Sequence, residues 1–330
     1  MNSREPIRVG VFLAGYFPTN LDTETALGEI EQRATYIEEL GFDSLFLGHH
    51  LLSAAKFLQP LSLAAYLAAR TSRVNIGLGV YLLPLINPLV FAEEVATICA
   101  LSRGRFIVGV GAGYRRSEFR AVGVPFEDRF KRLEEYTTVA RQLLAGETIT
   151  ASGHFGELSN ARVQLATPEN RPQLWMGAFG DVGIRRCARL GVPWLAGPEG
   201  SLDVLAARVD TYRRAATDSE SLIPPAIPLV RELYVAESDD QARSEAYPFL
   251  AKQYQDYKSW DHGLSIDDLI NRDAVVGSPK TVATRLNQYR DIGFTHVIVR
   301  SDWPEMDSAL SSKSMSLLAD RSEEHTSELQ

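Results

Sequence analysis

Short apolar runs rich in β-branched residues alternate with amphipathic helical patterns along almost the whole chain, and this alternation limits the fold more than any other feature. Ile7 to Ala14 reads as a first strand, followed by a helix from Thr23 to Leu40 with Ile30, Ala34, Ile37 and Leu40 on one face. Ser44 to Leu47 is a second strand and Pro60 to Arg70 its helix. Val74 to Leu83 is a third, and the helix from Pro88 to Leu101 opens on a proline, where the missing N–H costs nothing. Arg105 to Gly111 and a helix from Arg129 to Leu144 follow. A Gly-rich excursion with small strands, Gly146 to Arg162, then interrupts the period. Gln173 to Gly177, Asp181 to Leu190, Val192 to Leu195 and Leu202 to Ala216 restore it. Ile227 to Ala236 is a late strand, Asp239 to Tyr257 a helix and Ser259 to Arg272 an irregular insertion. Thr281 to Asp291 and Thr295 to Val299 complete the series.

Strands separated by helices imply parallel pairing through right-handed crossovers, and about eight such units imply closure into an α/β fold of the (β/α)8 TIM barrel type, with insertions. An open doubly wound sheet is the alternative. Its dinucleotide-binding form needs G-x-G-x-x-G directly after the first strand, where this chain has only Gly15. With 330 residues, 45% hydrophobic and 23% charged, the chain can bury one large core, and residues 1–320 are expected to form one domain. The net charge of -8 is spread along the sequence, which argues against a nucleic-acid surface.

Cys99 and Cys187 each fall in the apolar stripe of an expected helix, so neither a disulfide framework nor a metal-binding spacing is present. Both are expected to be buried thiols. No window approaches the roughly 18 apolar residues of a membrane span, and no apolar leader precedes the first strand; a cytoplasmic location is expected. The polar stretch from Arg321 to Gln330 reads like a translated sequencing-adapter tail, so the natural end of the last helix is expected to be missing.

The run Gly41 to His50 places two adjacent histidines where a barrel strand stops, and in such barrels the C-terminal strand ends build the active site. An imidazole there is a candidate proton-handling group; a hydrogen-bonded loop histidine is the structural alternative. Gly77 and Gly79 lie inside a strand, which suggests either a bulge or planar ligand against the backbone, or close packing within the barrel. Gly109, Gly111 and Gly113 repeat the theme at the fourth strand end, where exposed N–H groups favour a ligand over a tight turn. Gly177-Ala178-Phe179-Gly180-Asp181 feeds a helix N-terminus, a ready phosphate site, although Asp181 fits equally well as an N-cap. Ser278 as N-cap and Pro279 at the first helical position account for the Gly277 to Lys280 segment without a ligand.

Four segments carry a family resemblance: Gly48-His49-His50; Gly77 to Pro88 with Phe91 to Glu94; Ser102 to Tyr114; and Val276 to Lys280. Their order, spacing and the pairing of Arg-Gly-Arg with Gly-x-Gly-x-Gly resemble the bacterial luciferase-like flavin-dependent monooxygenase superfamily over nearly the whole chain. The resemblance implies a luciferase-like barrel with a flavin at its C-terminal mouth. It implies a cis peptide between Gly79 and Val80 beneath the ring, and contacts from Gly111, Ala112 and Gly113. The flavin phosphate is placed at Gly177 to Asp181, and His49 lies over the reactive face, with His50 structural. Tyr114 and Arg231 are candidates to line the substrate pocket or bind a phosphate, with a surface ion pair as the alternative for Arg231. Arg129 either matches a family arginine or holds the start of its helix.

The expected activity is a monooxygenase that uses reduced FMN, delivered by a separate flavin reductase, and oxygen to oxidise a small-molecule substrate. The deazaflavin coenzyme F-420 in a hydride-transfer oxidoreductase is the alternative, and a non-catalytic flavin-binding protein a second one. Deazaflavin-dependent sugar-phosphate dehydrogenases carry an acidic residue and a tryptophan where this chain has Ala112 and Ser53. Bacterial luciferase has cysteine and arginine in place of Gly111 and Ala112. No metal, nucleic acid or membrane partner is expected; a homodimer is.

Overall fold

Eight parallel strands pair in chain order and then close on themselves: β1 (Arg8–Phe12), β2 (Ser44–Leu47), β3 (Asn75–Tyr81), β4 (Phe106–Val110), β5 (Gln173–Ala178), β6 (Trp194–Ala196), β7 (Pro228–Val235) and β8 (His296–Arg300). This is the (β/α)8 barrel expected from the alternation. The computed structural model describes residues 5–221, 226–256 and 269–327. The expected insertion lies outside the described residues as far as 268, as does Tyr257. Helices α1 (Thr23–Glu39), α2 (Pro60–Arg70), α3 (Pro88–Leu101), α4 (Arg129–Leu144), α5 (Gly180–Arg189), α6 (Leu202–Asp218), α7 (Asp239–Asp256), α8 (Pro279–Ile292) and α9 (Ser308–Ser327) surround the strands.

The period of two along each strand builds two hydrophobic layers. Phe12, Phe46, Val80, Ile107, Trp175, Leu195, Val230 and Ile298 fill the barrel interior. The intervening residues, such as Val11, Leu45, Val108, Trp194 and Val297, face the helices, and Cys99 and Cys187 lie buried on α3 and α5 as anticipated. Gly77 is explained by close packing. A Cβ there would sit 2.2 Å from the Phe46 ring, so only glycine lets the large interior side chain of the adjacent strand fit.

Helix starts are set by local chemistry. Pro60 and Pro88 stand in the first turn of their helices, Asp22 accepts from the Thr25 N–H at 2.9 Å, and Ser278 caps α8 as expected. Helix α5 differs from expectation: it begins at Gly180 behind Phe179, no side chain caps it, and Asp181 lies in its first turn. Strand β6 begins at Trp194, because the Val192 N–H is spent on the Cys187 carbonyl at the end of α5.

Several pieces went unforeseen. A two-residue ladder joins Tyr16–Phe17 to Lys56–Phe57, a short helix spans Arg116–Ala121, and Val275–Gly277 pairs with the upper part of β7. The last helix continues to Ser327, through positions set aside as a tail. The excursion after α4 is an antiparallel hairpin, Ile149–Gly153 with Gly156–Ala161. Between β6 and β7 the ladder reduces to one pair, Ala196 opposite Leu229.

Candidate active site

The C-terminal ends of β2 and β3 bring His49 and Tyr81 face to face, ring centres 4.3 Å apart and planes inclined by 16°. His49 is 7% exposed, and its Nδ1 accepts the Leu82 backbone N–H at 3.1 Å. That bond assigns the tautomer: the neutral ring carries its proton on Nε2. Burial pushes the imidazole down to about 4, the attraction of Glu118 opposes this, and the neighbouring His50 adds to it. His49 is therefore a neutral donor at physiological pH. Burial also raises the Tyr81 phenol, and Tyr81 stacks in turn on Phe91 at 5.3 Å.

The Gly79–Val80 peptide bond is cis, at the position the resemblance implies, and the register of β3 against β4 shifts between Leu78 and Tyr81. Across this bulge Gly77, Gly79 and Val80 are all brought to the interior. The Val80 side chain lies between two strand-end glycines: an added Cβ would come within 2.4 Å of its Cγ2 at Gly111 and 2.9 Å of its Cγ1 at Gly177. Those glycines make room for Val80, and the Gly111 N–H already donates to the Tyr81 carbonyl at 2.9 Å. The expectation of N–H groups bared to a ligand is corrected at Gly111. Val80 instead forms an apolar floor in the mouth.

Ala112 is partly buried, and Gly113 adopts φ +75 against the Phe119 ring, a turn that favours glycine. On the opposite side, β5 delivers Ala178 and Phe179 to the start of α5. Phe179 is 61% exposed and its ring lies over Gly197, while Gly180 has φ +65. No side chain caps the N-terminus of α5 among the described residues, and the first-turn N–H groups of such an end can hold a phosphate.

His50 joins a half-buried network. Its Nδ1 meets Glu118 Oε1 at 2.9 Å, its Nε2 meets the Tyr114 hydroxyl at 3.1 Å, and the Leu51 N–H donates to the same Glu118 oxygen at 3.0 Å. Glu118 is fully buried, and its Oε2 has no partner among the described residues. Nothing in the sequence marked Glu118, which sits on a six-residue helix without a motif. Tyr114 is thus tied to the histidine pair.

Arg231 is elsewhere. It is fully buried on the outer face of β7, donating from Nε to the Tyr289 hydroxyl at 3.0 Å, from Nη2 to the Gly200 carbonyl at 2.7 Å and from Nη1 to the Pro198 carbonyl. Neither a pocket lining nor a surface ion pair describes it; it ties the loop after β6 to β7 and α8. Arg129 likewise holds the start of its helix, with Nη1 on the Phe126 carbonyl at 3.0 Å and its guanidinium over the Phe126 ring. The next residue of β7, Glu232, does face the interior, one step of two beyond Val230. Its carboxyl receives the Trp303 indole N–H at 2.6 Å, the Tyr254 hydroxyl at 2.8 Å and the Arg300 guanidinium. The parity of the strand contained that signal.

The luciferase-like monooxygenase family model matches residues 7–296. Limonene 1,2-monooxygenase of Rhodococcus erythropolis is 26% identical over 92% of this chain and 83% of its own length. An F-420-dependent glucose-6-phosphate dehydrogenase of Kineococcus radiotolerans is 28% identical over 83% of this chain and 87% of its own. Among solved structures, a monooxygenase from Streptomyces bottropensis superposes with a TM-score of 0.83 at 22% identity, covering 97% of this chain and all of that one. The oxygenating constituent of 3,6-diketocamphane monooxygenase of Pseudomonas putida, solved with FMN, gives 0.78 at 17% identity, covering 96% and 97%. A barrel closed in this order, a cis bond in the strand whose end packs on His49 and a family match over most of the length agree: the chain belongs to the luciferase-like monooxygenase family.

Proposed function

We propose that this chain is a flavin-dependent monooxygenase that takes reduced FMN from a separate reductase and oxygenates a small organic substrate. The observation that carries this reading is the neutral, buried His49, anchored by the Leu82 N–H directly beside the Gly79–Val80 bulge. The residues present fit a flavin: the N–H groups of the first turn of α5 would hold its phosphate, and Val80 would support the ring. When bound, the cofactor supplies the redox chemistry with oxygen. The protein's share is positioning, exclusion of water and a hydrogen bond from the neutral His49 Nε2–H. Tyr81 and Phe91 hold the imidazole plane, and the Glu118 network fixes the loop that carries it.

Relatives that use FMN and relatives that use F-420 both occur, so the cofactor is the point to test. Anaerobic fluorescence-quenching titrations with reduced FMN, reduced riboflavin and the reduced deazaflavin discriminate. Reduced FMN is expected to bind at least about tenfold tighter than either of the others, a difference of about 1.4 kcal/mol. Tighter binding of the deazaflavin, with turnover in the absence of oxygen, replaces the monooxygenase with a hydride-transfer enzyme.

A further inference from the structure

The opposite end of the barrel holds a cavity of ≈ 690 Å³ whose walls carry Arg8, Arg141, Arg171, Arg213 and Arg290, with Glu5 the only acid lining it. In a chain of net charge -8 this concentration of cations is unexpected. The N-terminal face of a barrel also gathers helix C-termini, whose negative dipole ends and unpaired carbonyls attract cations, so each arginine must first be tested against that role.

Two of them have partners, and a third packs on a helix end. Arg141, in the last turn of α4, donates to the Leu190 carbonyl at the end of α5. Arg290, in the last turn of α8, pairs with Asp291 at 3.2 Å, and the Arg213 guanidinium packs against Gly293, which ends α8. Arg8, at the start of β1, and Arg171, just before β5, are surplus. Neither side chain makes a hydrogen bond or ion pair with a described residue. They act on their neighbours as bare positive charges: Arg171 helps hold the Arg141 guanidinium below its ordinary value, after burial, and Arg8 does the same to His296. Glu147 near Arg141 and Asp43 near His296 are the opposing charges. A second observation points to a ligand. Trp175, fully buried, is part of the cavity wall, and its indole N–H has no acceptor among the described residues.

We propose that this cavity binds a small molecule bearing a multiply charged phosphate group, gripped chiefly by Arg8 and Arg171, at a site separate from the catalytic mouth. Guanidinium forks match phosphate oxygens, and the volume falls within the range of small-molecule sites, about 300 to 1,000 Å³. Leu144, Pro172 and Pro193 supply an apolar wall for the rest of the ligand.

Calorimetric titration with inorganic pyrophosphate at fixed ionic strength tests this. One saturable site is expected, weakened at least about tenfold by Arg171→Glu and by Arg8→Gln, and unchanged by Arg214→Glu, an exposed control on α6. Both target side chains lack hydrogen-bond and ion-pair partners among the described residues, so the variants should keep the parent's melting temperature and its FMN titration. Absence of saturable binding overturns the proposal. So does binding that survives Arg171→Glu, which would place the anion at the α5 N-terminus, or an equal loss in the Arg214 control, which would mark diffuse surface attraction.

Discussion

The Leu82 N–H donates to Nδ1 of His49 across 3.1 Å, and this bond decides what the imidazole can do. A ring protonated at Nδ1 cannot accept it, so the charged form loses the bond as well as its hydration. If the proposed function is right, the step that depends on His49 should be flat from pH 8 to about 5 and fall as pH approaches about 4. His49→Ala should lower turnover with reduced FMN and oxygen by about 10² to 10⁴. A pH profile of the parent beside the variant checks both; undiminished turnover in the variant removes the assignment.

Stability should respond to the same burial. His49 and His296 are both held down to about 4 from 6.5, chiefly by desolvation. Between those values the unfolded chain binds more protons than the folded one, so acidification favours unfolding. The stabilisation is complete above pH 6.5 and is lost as pH falls through 4, by at most about 3 kcal/mol for each ring. Thermal melts across that window should slope less steeply in a His296→Gln variant than in the parent.

Gly111 and Val80 are expected to couple. Gly111→Ala forces its Cβ to within 2.4 Å of a Val80 methyl and should cost about 1 to 3 kcal/mol by overpacking. In a Val80→Ala background the same change should cost clearly less, since only the residue-80 Cβ at 3.2 Å remains in the way. A double-mutant cycle by denaturant unfolding measures the interaction, and additive effects would refute the packing account.

Arg231→Leu should destabilise by about 2 to 4 kcal/mol, because the Pro198 and Gly200 carbonyls and the Tyr289 hydroxyl lose a buried donor. Affinity for reduced FMN in the protein that remains folded should change less than about twofold. Urea unfolding beside the fluorescence titration separates the two effects.

Much of this architecture is legible in the chain because the signals are local. The boundaries of α2 and α3 are set by prolines at their starts and by the exhaustion of apolar periodicity at Arg70 and Leu101. Strands are shorter than their apolar runs, since residues such as Val192 and Ala14 keep strand-like composition without a ladder partner. The three-residue edge strand at Val275 is too short for any pattern to show. The site divides along the same line. His49 and the cis bond were placed by motif, whereas the reason for Gly77 lies in Phe46, on another strand, and Glu118 reaches His50 across 68 residues of sequence. Arg231 and Glu232 looked alike as charges in a strand. Only their parity relative to Val230 separates the one that braces the outside from the one that faces the mouth.

Above the single pair of Ala196 with Leu229, the wall between β6 and β7 has no ladder, for the upper part of β7 turns to pair with Val275–Gly277. The seam is stitched there by the guanidinium of Arg231, which reaches two carbonyls of the loop after β6. Barrel closure at this sector thus passes from backbone to side chains, Arg231 together with Asp273, whose Oδ2 accepts the Gly200 N–H at 2.8 Å.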